Sequence, residues 1–218
     1  MPLAISSSKV RIPALNSLVI TGLWLIPLCF ALGSLPFGAW IVRWRTGEDL
    51  TTLGSGNIGA TNVLRTTGKG AGILTLLLDI AKGMLAVHLA DYFTEGNAML
   101  MSAAALAVMF GHGFSPFMKF KGGKAVASFA GAFAYLTPLP FLCIAVLFVM
   151  VVAYSRYISL GSICGAVLFP FAVWLILHPA WPILAAAFLA GIFVTWRHAG
   201  NIERLRAGKE NRFEWRKN

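Results

Sequence analysis

Residues 160–177 read LGSICGAVLFPFAVWLIL and contain no charged side chain. A helix needs about 20 apolar residues, at about 1.5 Å of rise each, to cross the ~30 Å hydrocarbon core of a bilayer. We therefore predict that this stretch is a transmembrane helix. The whole chain has the same character, since 58% of its 218 residues are hydrophobic and 12% are charged, whereas soluble domains are about 25% charged.

Further apolar runs flank this stretch on both sides along the chain. Each is bounded by polar or turn-forming residues, so each is predicted to be a separate membrane span. The predicted fold is an all-α, polytopic integral membrane protein, a seven-transmembrane-helix bundle. Its other spans are predicted at 18–42, 70–89, 98–110, 125–136, 141–153 and 182–196.

This membrane domain is predicted to occupy residues 18–196, after an N-terminal arm at 1–17 and before a polar tail at 197–218. A cleaved signal peptide is the alternative for the first run. The run continues to Arg43, however, which favours an uncleaved span. The two runs beside the loop 111–124 are short for a full crossing, so either they extend into that loop or the loop dips into the membrane.

The basic residues are unevenly distributed between the two sides that these spans define. Apart from Lys9, Arg11 and Lys82, every lysine and arginine lies in the tail or in the loops 43–69, 111–124 and 154–159. Because basic loops remain in the cytoplasm, the N-terminus is predicted outside and the C-terminus in the cytoplasm. The net charge of +10 then reflects cytoplasmic loops facing anionic lipid, and no nucleic-acid partner is expected.

The first basic loop contains a glycine-rich stretch, GSGNIGATNVLR at 54–65. Glycine lets a ligand approach the backbone N–H groups, and consecutive N–H groups before a helix form an anion-binding nest. A guanidinium at the end suits phosphate. The alternative is a loop whose glycines only turn the chain. The candidate substrate-binding residues here are Gly54, Ser55, Gly56, Asn57, Gly59, Asn62 and Arg65.

The second basic loop repeats this pattern. Its run Lys121-Gly122-Gly123-Lys124 combines glycine N–H groups with lysine charges, which favours phosphate binding. The alternative is that its lysines are lipid anchors. His112, at the start of the loop, is either a substrate contact or a helix cap.

Two shorter polar clusters lie on the same predicted side. His198 and Asn201 follow the last span three residues apart, so they share one face of a helix. Ser155 and Arg156 form a polar break between two spans and are candidate substrate contacts. Four clusters rich in cations, hydroxyls and amides and poor in carboxylates predict a cytoplasmic site for one or more phosphates.

One charged pair lies within a predicted span. Asp79 and Lys82 are three residues apart on one helical face. An isolated charge in lipid costs at least ~2.5 kcal/mol, so the pair should face the bundle or a wet cavity. A structural ion pair and a substrate role are both open.

The chain carries none of the common catalytic motifs. It has no G-x-S-x-G elbow and no H-E-x-x-H zinc motif, and the H-x4-D pair of many acyltransferases is missing. Cys29, Cys143 and Cys164 lie in separate apolar runs without C-x-x-C spacing. No metal and no cofactor is therefore expected.

Three segments closely resemble the acyl-phosphate-dependent glycerol-3-phosphate acyltransferases, the PlsY family of bacterial inner membranes. They are GSGNIGATNVLR at 54–65, Gly111-His112 through Phe120-Lys121-Gly122-Gly123-Lys124, and RHAGNIERL at 197–205 with Gly208 and Glu210. The resemblance extends over roughly residues 30–210. One departure is Ala125, which stands where the family generally has glycine.

This resemblance implies seven transmembrane helices and a site facing the cytoplasm of a bacterial inner membrane. It implies transfer of a fatty acyl group from acyl phosphate to the 1-hydroxyl of sn-glycerol 3-phosphate, giving lysophosphatidate and phosphate. The acyl donor would contact Ser55, Asn57 and Arg65, and glycerol phosphate would contact Gly122-Gly123-Lys124. Glu210 would be structural. The candidate catalytic residues are Ser55, Arg65, Lys124, His198 and Asn201.

The expected partners are thus acyl phosphate, glycerol 3-phosphate and membrane lipid. Acyl phosphate is already activated, so such an enzyme mainly positions two anions and stabilises developing charge. The proton of the attacking hydroxyl would pass to a donor phosphate oxygen or to His198. A transporter of organic phosphate and a non-catalytic lipid-binding subunit are the alternative functions.

Overall fold

The computed structural model describes residues 22–213, and within them the chain is helical without strands. The α-helices are α1 (Leu25–Ser34), α2 (Phe37–Thr46), α3 (Ala60–Thr67), α4 (Lys69–Thr94), α5 (Ala98–Gly113), α6 (Val126–Leu136), α7 (Pro138–Ser155), α8 (Ile158–Leu177), α9 (Trp181–Arg197) and α10 (Ala199–Arg206). Short 3-10 turns lie at Leu50–Thr52 and Pro116–Met118.

Five segments of the described chain are long and apolar enough to cross a membrane: Leu25–Thr46, Lys69–Thr94, Ala98–Met118, Pro138–Ser155 and Ile158–Leu177. The pair α9 and α10 is a sixth if it counts as one span bent by 56°. Helix α6 is apolar but shorter. The helical membrane fold is confirmed, whereas the count of seven and the orientation of the termini stay predictions. The arm 1–17, the start of the first predicted span and residues 214–218 lie outside the described residues.

Local sequence explains where several helices begin and end. The Asn97 side chain accepts hydrogen bonds from the backbone N–H groups of Met99 and Leu100, both at 3.1 Å, and so caps α5. Proline occupies the first turns of α7 and α9, where its missing N–H costs nothing. The short loops between these helices let consecutive helices pack side by side.

The first span is broken between α1 and α2 at Leu35–Pro36. Because proline and the break leave backbone carbonyls without helical partners, other groups must bond them inside the membrane. Lys82 donates to the Leu35 carbonyl at 2.9 Å, and Ser115 donates to the Ser34 carbonyl at 2.5 Å. Asp79 neutralises Lys82 at 2.8 Å, so this buried ion pair holds the broken span in place.

Two helix crossings depend on glycine. A Cβ at Gly83 of α4 would overlap the Ser128 carbonyl of α6, and one at Gly131 of α6 would overlap the Ile80 carbonyl of α4. The α1–α5 crossing is equally close at Gly33. Backbones that touch in this way gain dispersion contacts, which drive helix association where the lipid removes the hydrophobic effect.

We expect Gly83→Ala to lower the free energy of unfolding by about 1–3 kcal/mol, because the added methyl group overpacks the α4–α6 crossing. Gly70→Ala is the matched control, since its Cβ would meet only the Arg45 side chain at 3.9 Å. Thermal unfolding in detergent measures both variants. Equal melting temperatures would contradict the packing role of Gly83.

Candidate active site

A cavity of about 1220 Å³ lies between the helices and collects polar side chains at one end. We call this end the polar end; it comprises the loops 47–59, 114–125 and 156–157 together with residues 198–213. The segments predicted to converge do meet here. The predicted site residues that line the cavity are Ser55, Asn57, Gly59, Asn62, Arg65, Asp79, His112, Lys124, His198, Asn201 and Glu210.

The glycine-rich loop is held together by its own amides. The buried Asn62 accepts a hydrogen bond from the Ser55 N–H and donates to the Leu53 carbonyl, both at 3.0 Å. The Gly59 N–H donates to the Asn57 side chain at 2.9 Å, and the Gly56 N–H donates to the Leu53 carbonyl. These N–H groups are therefore used within the protein. The expected nest of free N–H groups is wrong for Ser55, Gly56 and Gly59.

The uncapped N–H groups of this loop lie instead at the N-terminus of α3. Gly59 provides no side-chain cap, and within the described residues the N–H groups of Ala60 and Thr61 have no acceptor. Both residues line the cavity, and so does Arg65 in the next turn. Uncapped N–H groups and the helix dipole attract an anion, and the guanidinium adds a full charge.

The glycines of the basic loop serve packing. The Gly122 N–H donates to the Gly113 carbonyl at 3.1 Å, and the Gly123 N–H donates to the His112 carbonyl at 3.0 Å. Their own carbonyls accept from Arg197, at 2.6 Å for Gly122 and 3.0 Å for Gly123. The prediction of phosphate-binding N–H groups here is therefore wrong. A Cβ at Gly123 would also overlap the His112 ring, so only glycine fits this contact.

A chain of hydrogen bonds joins the last residue of this loop to the tail. Lys124 Nζ donates to Asn201 Oδ1 at 2.5 Å, and Asn201 Nδ2 donates to Glu210 Oε1 at 2.8 Å. Glu210 also accepts from Ser159 Oγ at 3.1 Å and from Arg204 Nε at 2.8 Å. Three segments that are distant in sequence, at Lys124, at Ser159 and at 201–210, are thereby fixed around the cavity.

The buried surroundings of Lys124 change the pKa of its side chain. Burial lowers its pKa to about 8, the charge of Glu210 opposes the shift, and nearby Arg204 and Arg197 add to it. Lys124 therefore carries its charge at neutral pH and loses it only a little above. A lysine in this state gains strongly from an anionic ligand, which would restore the preference for the charged form.

His198 is buried beside this chain, with 2% of its surface exposed. Its Nδ1 lies 2.8 Å from the Val194 carbonyl oxygen. Because a carbonyl can only accept, Nδ1 carries the proton and Nε2 keeps a lone pair. His198, which lines the cavity, can therefore accept a hydrogen bond or a proton at Nε2.

A second buried histidine lies deeper in the cavity. His112 Nδ1 is 3.6 Å from Asp79 Oδ1, beyond hydrogen-bond distance, and Asp79 is shared with Lys82. Asp79 and His112 line the cavity, but Lys82 does not. Lys82 instead donates to the Leu35 carbonyl, which favours the structural interpretation of this residue over a substrate role.

Several predicted contacts lie away from the cavity lining. Ser155 donates to the Val151 carbonyl at 2.6 Å and accepts from the Tyr157 N–H, so it ends α7. Arg156 is exposed in the left-handed region, with φ 64°. Lys121 is also exposed. Because the backbone of these residues makes turns at the edge of the bundle, their side chains do not line the cavity. The other predicted contacts outside the lining are Gly54, Gly56, Gly122 and Gly123.

The lining also includes residues that sequence reasoning missed. Arg204 and Ser159 lie close in sequence to predicted site residues, within the same polar motifs. Those motifs could therefore have predicted that both residues line the cavity. Asn211 and Arg212 line the cavity because the tail folds back. This return is fixed by the Phe213 N–H, which donates to the Arg156 carbonyl at 2.6 Å. No sequence motif signals that contact.

Beyond the polar end the cavity continues as an arm lined by apolar side chains. We call it the apolar arm; it lies between α4 and α6 on one side and α7 and α8 on the other. Its side chains are Ile73, Leu76, Phe129, Phe141, Ile144, Ala145, Phe148, Val149 and Val152. One cavity thus offers cations at one end and an alkyl-compatible surface at the other. Among the described residues no group of three His, Cys, Asp or Glu side chains could hold a metal ion.

Known proteins are similar to this chain in sequence and in fold. The family model of glycerol-3-phosphate acyltransferase matches residues 23–208. A glycerol-3-phosphate acyltransferase of Desulforamulus reducens is 42% identical over 192 residues, which cover 88% of this chain and 94% of the relative. Glycerol-3-phosphate acyltransferase 1 of Deinococcus radiodurans is also 42% identical, over 89% of this chain and 97% of its own length.

Solved structures agree with these sequences. The glycerol 3-phosphate form of PlsY, an integral membrane glycerol 3-phosphate acyltransferase, has a TM-score of 0.84 and 33% identity, covering 89% of this chain and 96% of that chain. The lysophosphatidic acid form of PlsY has a TM-score of 0.80 and 31% identity over the same shares. The fold is therefore that of an integral membrane acyltransferase. The chain belongs to the glycerol-3-phosphate acyltransferase family, the PlsY family.

We expect Glu210→Gln to lower the melting temperature at neutral pH. Burial alone would raise the pKa of Glu210, but the bonds from Asn201 and Arg204 outweigh it and lower the pKa. A lowered folded-state pKa stabilises the fold above the unfolded-state value, and this stabilisation is lost as the pH falls through the folded-state value.

The difference from wild type should therefore shrink as the pH is lowered through the carboxyl range. Glu203→Gln is the control, because Glu203 is a nearby exposed carboxylate. Thermal unfolding across pH measures both. A difference that persists unchanged at acid pH would show that the Glu210 charge is not what stabilises this region.

Proposed function

We propose that this protein transfers a fatty acyl group from an acyl phosphate to the 1-hydroxyl of sn-glycerol 3-phosphate, giving lysophosphatidate and phosphate. The observation that carries the proposal is the single cavity that joins a cationic polar end to an apolar arm. Both substrates bear a phosphate, and only the acyl donor bears a long alkyl chain. The cavity matches that pair.

The membrane arrangement follows from the charges of the loops. Apart from Lys9, Arg11 and Lys82, the basic residues lie in the tail or in the loops 43–69, 111–124 and 154–159, so we place this side of the bundle, with the polar end, in the cytoplasm of a bacterial inner membrane. With α6 and the α9–α10 pair counted as spans, the bundle has seven, the N-terminus is outside and the C-terminus is in the cytoplasm. Soluble glycerol 3-phosphate would then reach the site from the cytoplasm, and the acyl donor would reach it from the lipid.

The acyl donor is assigned to the α3 side of the cavity. Its phosphate would lie at the uncapped N-terminus of α3, within reach of Ser55, Asn57 and Arg65, which all line the cavity. Its alkyl chain would follow the apolar arm. Exposed side chains at the edge of the arm, Ile73 and Val149, give the chain a way in from lipid.

Glycerol 3-phosphate is assigned to the opposite wall. Lys124, His198, Asn201 and Arg204 meet there around the Glu210 carboxylate. Two cations and one carboxylate leave net positive charge to balance a phosphate. The Asn201 amide orients Lys124 and would help to place the 1-hydroxyl near the donor carbonyl.

The reaction requires little covalent help from the protein. The 1-hydroxyl oxygen attacks the acyl carbonyl carbon, the bond from that carbon to the phosphate oxygen breaks, and phosphate leaves. The hydroxyl proton passes to a phosphate oxygen of the donor, with Nε2 of His198 as the competing acceptor. Within residues 22–213 no serine or cysteine is hydrogen-bonded to a histidine, so direct transfer is favoured over an acyl-enzyme.

The comparisons favour this reaction over transport or passive lipid binding. PlsY, solved in glycerol 3-phosphate and lysophosphatidic acid forms, is a glycerol 3-phosphate acyltransferase. Those two ligands are the acceptor and the product of the proposed reaction. The donor is inferred from the residues and from the resemblance to acyl-phosphate-dependent enzymes.

We expect Arg65→Ala and Lys124→Ala each to lower kcat/KM by about 100-fold or more, because each removes a charged contact to a phosphate. Arg206→Ala and Lys209→Ala are the matched controls, since both side chains are exposed and outside the cavity lining. The assay follows phosphate release and lysophosphatidate formation from acyl phosphate and glycerol 3-phosphate in lipid. Product formation that survives both alanine substitutions would remove these residues from the site.

We expect kcat/KM for glycerol 3-phosphate to fall about tenfold per pH unit above the pKa of Lys124, about 8, because the neutral amine no longer attracts phosphate. Lys124→Arg keeps its charge to much higher pH, so its alkaline fall should move upward. A pH–rate profile of each form measures this. An identical alkaline fall in Lys124→Arg would assign the titration to another group.

A further inference from the structure

The apolar arm ends at a ring that lies far from the polar end. Phe141 is in the first turn of α7, whose other end, at Ser155, adjoins residues 156–157 of the polar end. The intervening turns place Phe141 about 21 Å along the helix axis from Ser155. This distance exceeds half of the ~30 Å hydrocarbon thickness, so the arm has the length of a membrane-lipid acyl chain.

Several side chains in the deep part of the arm are buried, whereas two nearer the polar end are exposed. At the deep part, the exposed fractions are 9% for Ile144, 3% for Ala166 and 7% for Phe129. Nearer the polar end they are 61% for Val149 and 53% for Ile73. An alkyl chain in the arm would thus pass exposed side chains first and reach more buried ones at Ile144 and Ala166.

The wall behind the deep part is stiff. Phe129 stacks on Phe133 at 4.9 Å and on Phe169 at 4.8 Å between ring centroids, and Phe133 and Phe169 are themselves 4.8 Å apart. Phe133 and Phe169 are fully buried. Three mutually packed rings in a dense interior cannot move aside for an extra methylene without leaving their favoured geometry.

We propose that Phe141, with this aromatic wall beside it, sets the upper limit of the acyl-chain length. The inference rests on the proposed function, which places the donor's alkyl chain in the apolar arm. A chain that just reaches Phe141 gains contact along its whole length. A longer chain has no enclosed space for its last carbons, and each misplaced methylene is disfavoured by roughly tenfold.

Two substitutions on one face of α7 should move this limit in opposite directions. Phe141→Ala opens space at the end of the arm. Ala145→Leu fills the arm one helical turn nearer the polar end, since Ala145 also lines the cavity. Leu142→Ala and Val146→Leu are the matched controls, because these neighbours are 59% and 52% exposed and do not line the cavity.

The experiment measures kcat/KM for saturated acyl phosphates of increasing chain length with the purified protein in lipid. We expect Phe141→Ala to raise the ratio of long-chain to medium-chain kcat/KM by about tenfold, and Ala145→Leu to lower it by about tenfold. The controls should keep the wild-type profile.

Binding of lysophosphatidates of the same chain lengths, measured by thermal stabilisation, reports the upper limit of acyl-chain length without requiring catalysis. Binding profiles that shift with both substitutions, in a protein that does not use acyl phosphate, would support the limit and overturn the proposed donor. Profiles of wild-type shape in both Phe141→Ala and Ala145→Leu would overturn the limit, whether or not acyl phosphate is consumed.

Discussion

A backbone carbonyl inside a bilayer must be bonded by the protein, because the hydrocarbon offers no donor. The first span is broken, and Lys82 and Ser115 bond the carbonyls that the break leaves at Leu35 and Ser34. Lys82 in turn requires Asp79 beside it. The irregular backbone around the site is thus possible only because side chains from α4 and from the basic loop complete it.

A second constraint acts at the polar end, where several cations lie close together and would repel one another. The Arg197 guanidinium donates hydrogen bonds to two backbone carbonyls of the basic loop. Arg204 pairs with Glu210, while Lys124 donates to the neutral amide of Asn201. Because Glu210 is the one carboxylate that these three cations share, the group keeps a net positive charge, which is the charge that a substrate phosphate would need. The same hydrogen bonds order these side chains and leave the group with net positive charge.

The sequence predicted the helices well and some site details poorly. The predicted spans differ from the structure by a few residues, since long apolar runs have few alternatives in a membrane. The glycines were wrongly interpreted as donors of free N–H groups, because a sequence cannot show that a neighbouring carbonyl has already taken the hydrogen. Ala125 has a φ of 60°, in the left-handed region that favours glycine, which is the residue that the resemblance led us to expect there.

The sequence by itself determined the membrane helical fold, and from it we predicted the side on which the basic loops lie and a site for phosphate. These properties follow from composition and local spacing, which act over one helix or one loop. Only the tertiary structure decided which cations line the cavity and that the tail returns to complete it. Those outcomes depend on contacts between segments far apart in the chain, and no local pattern encodes such contacts.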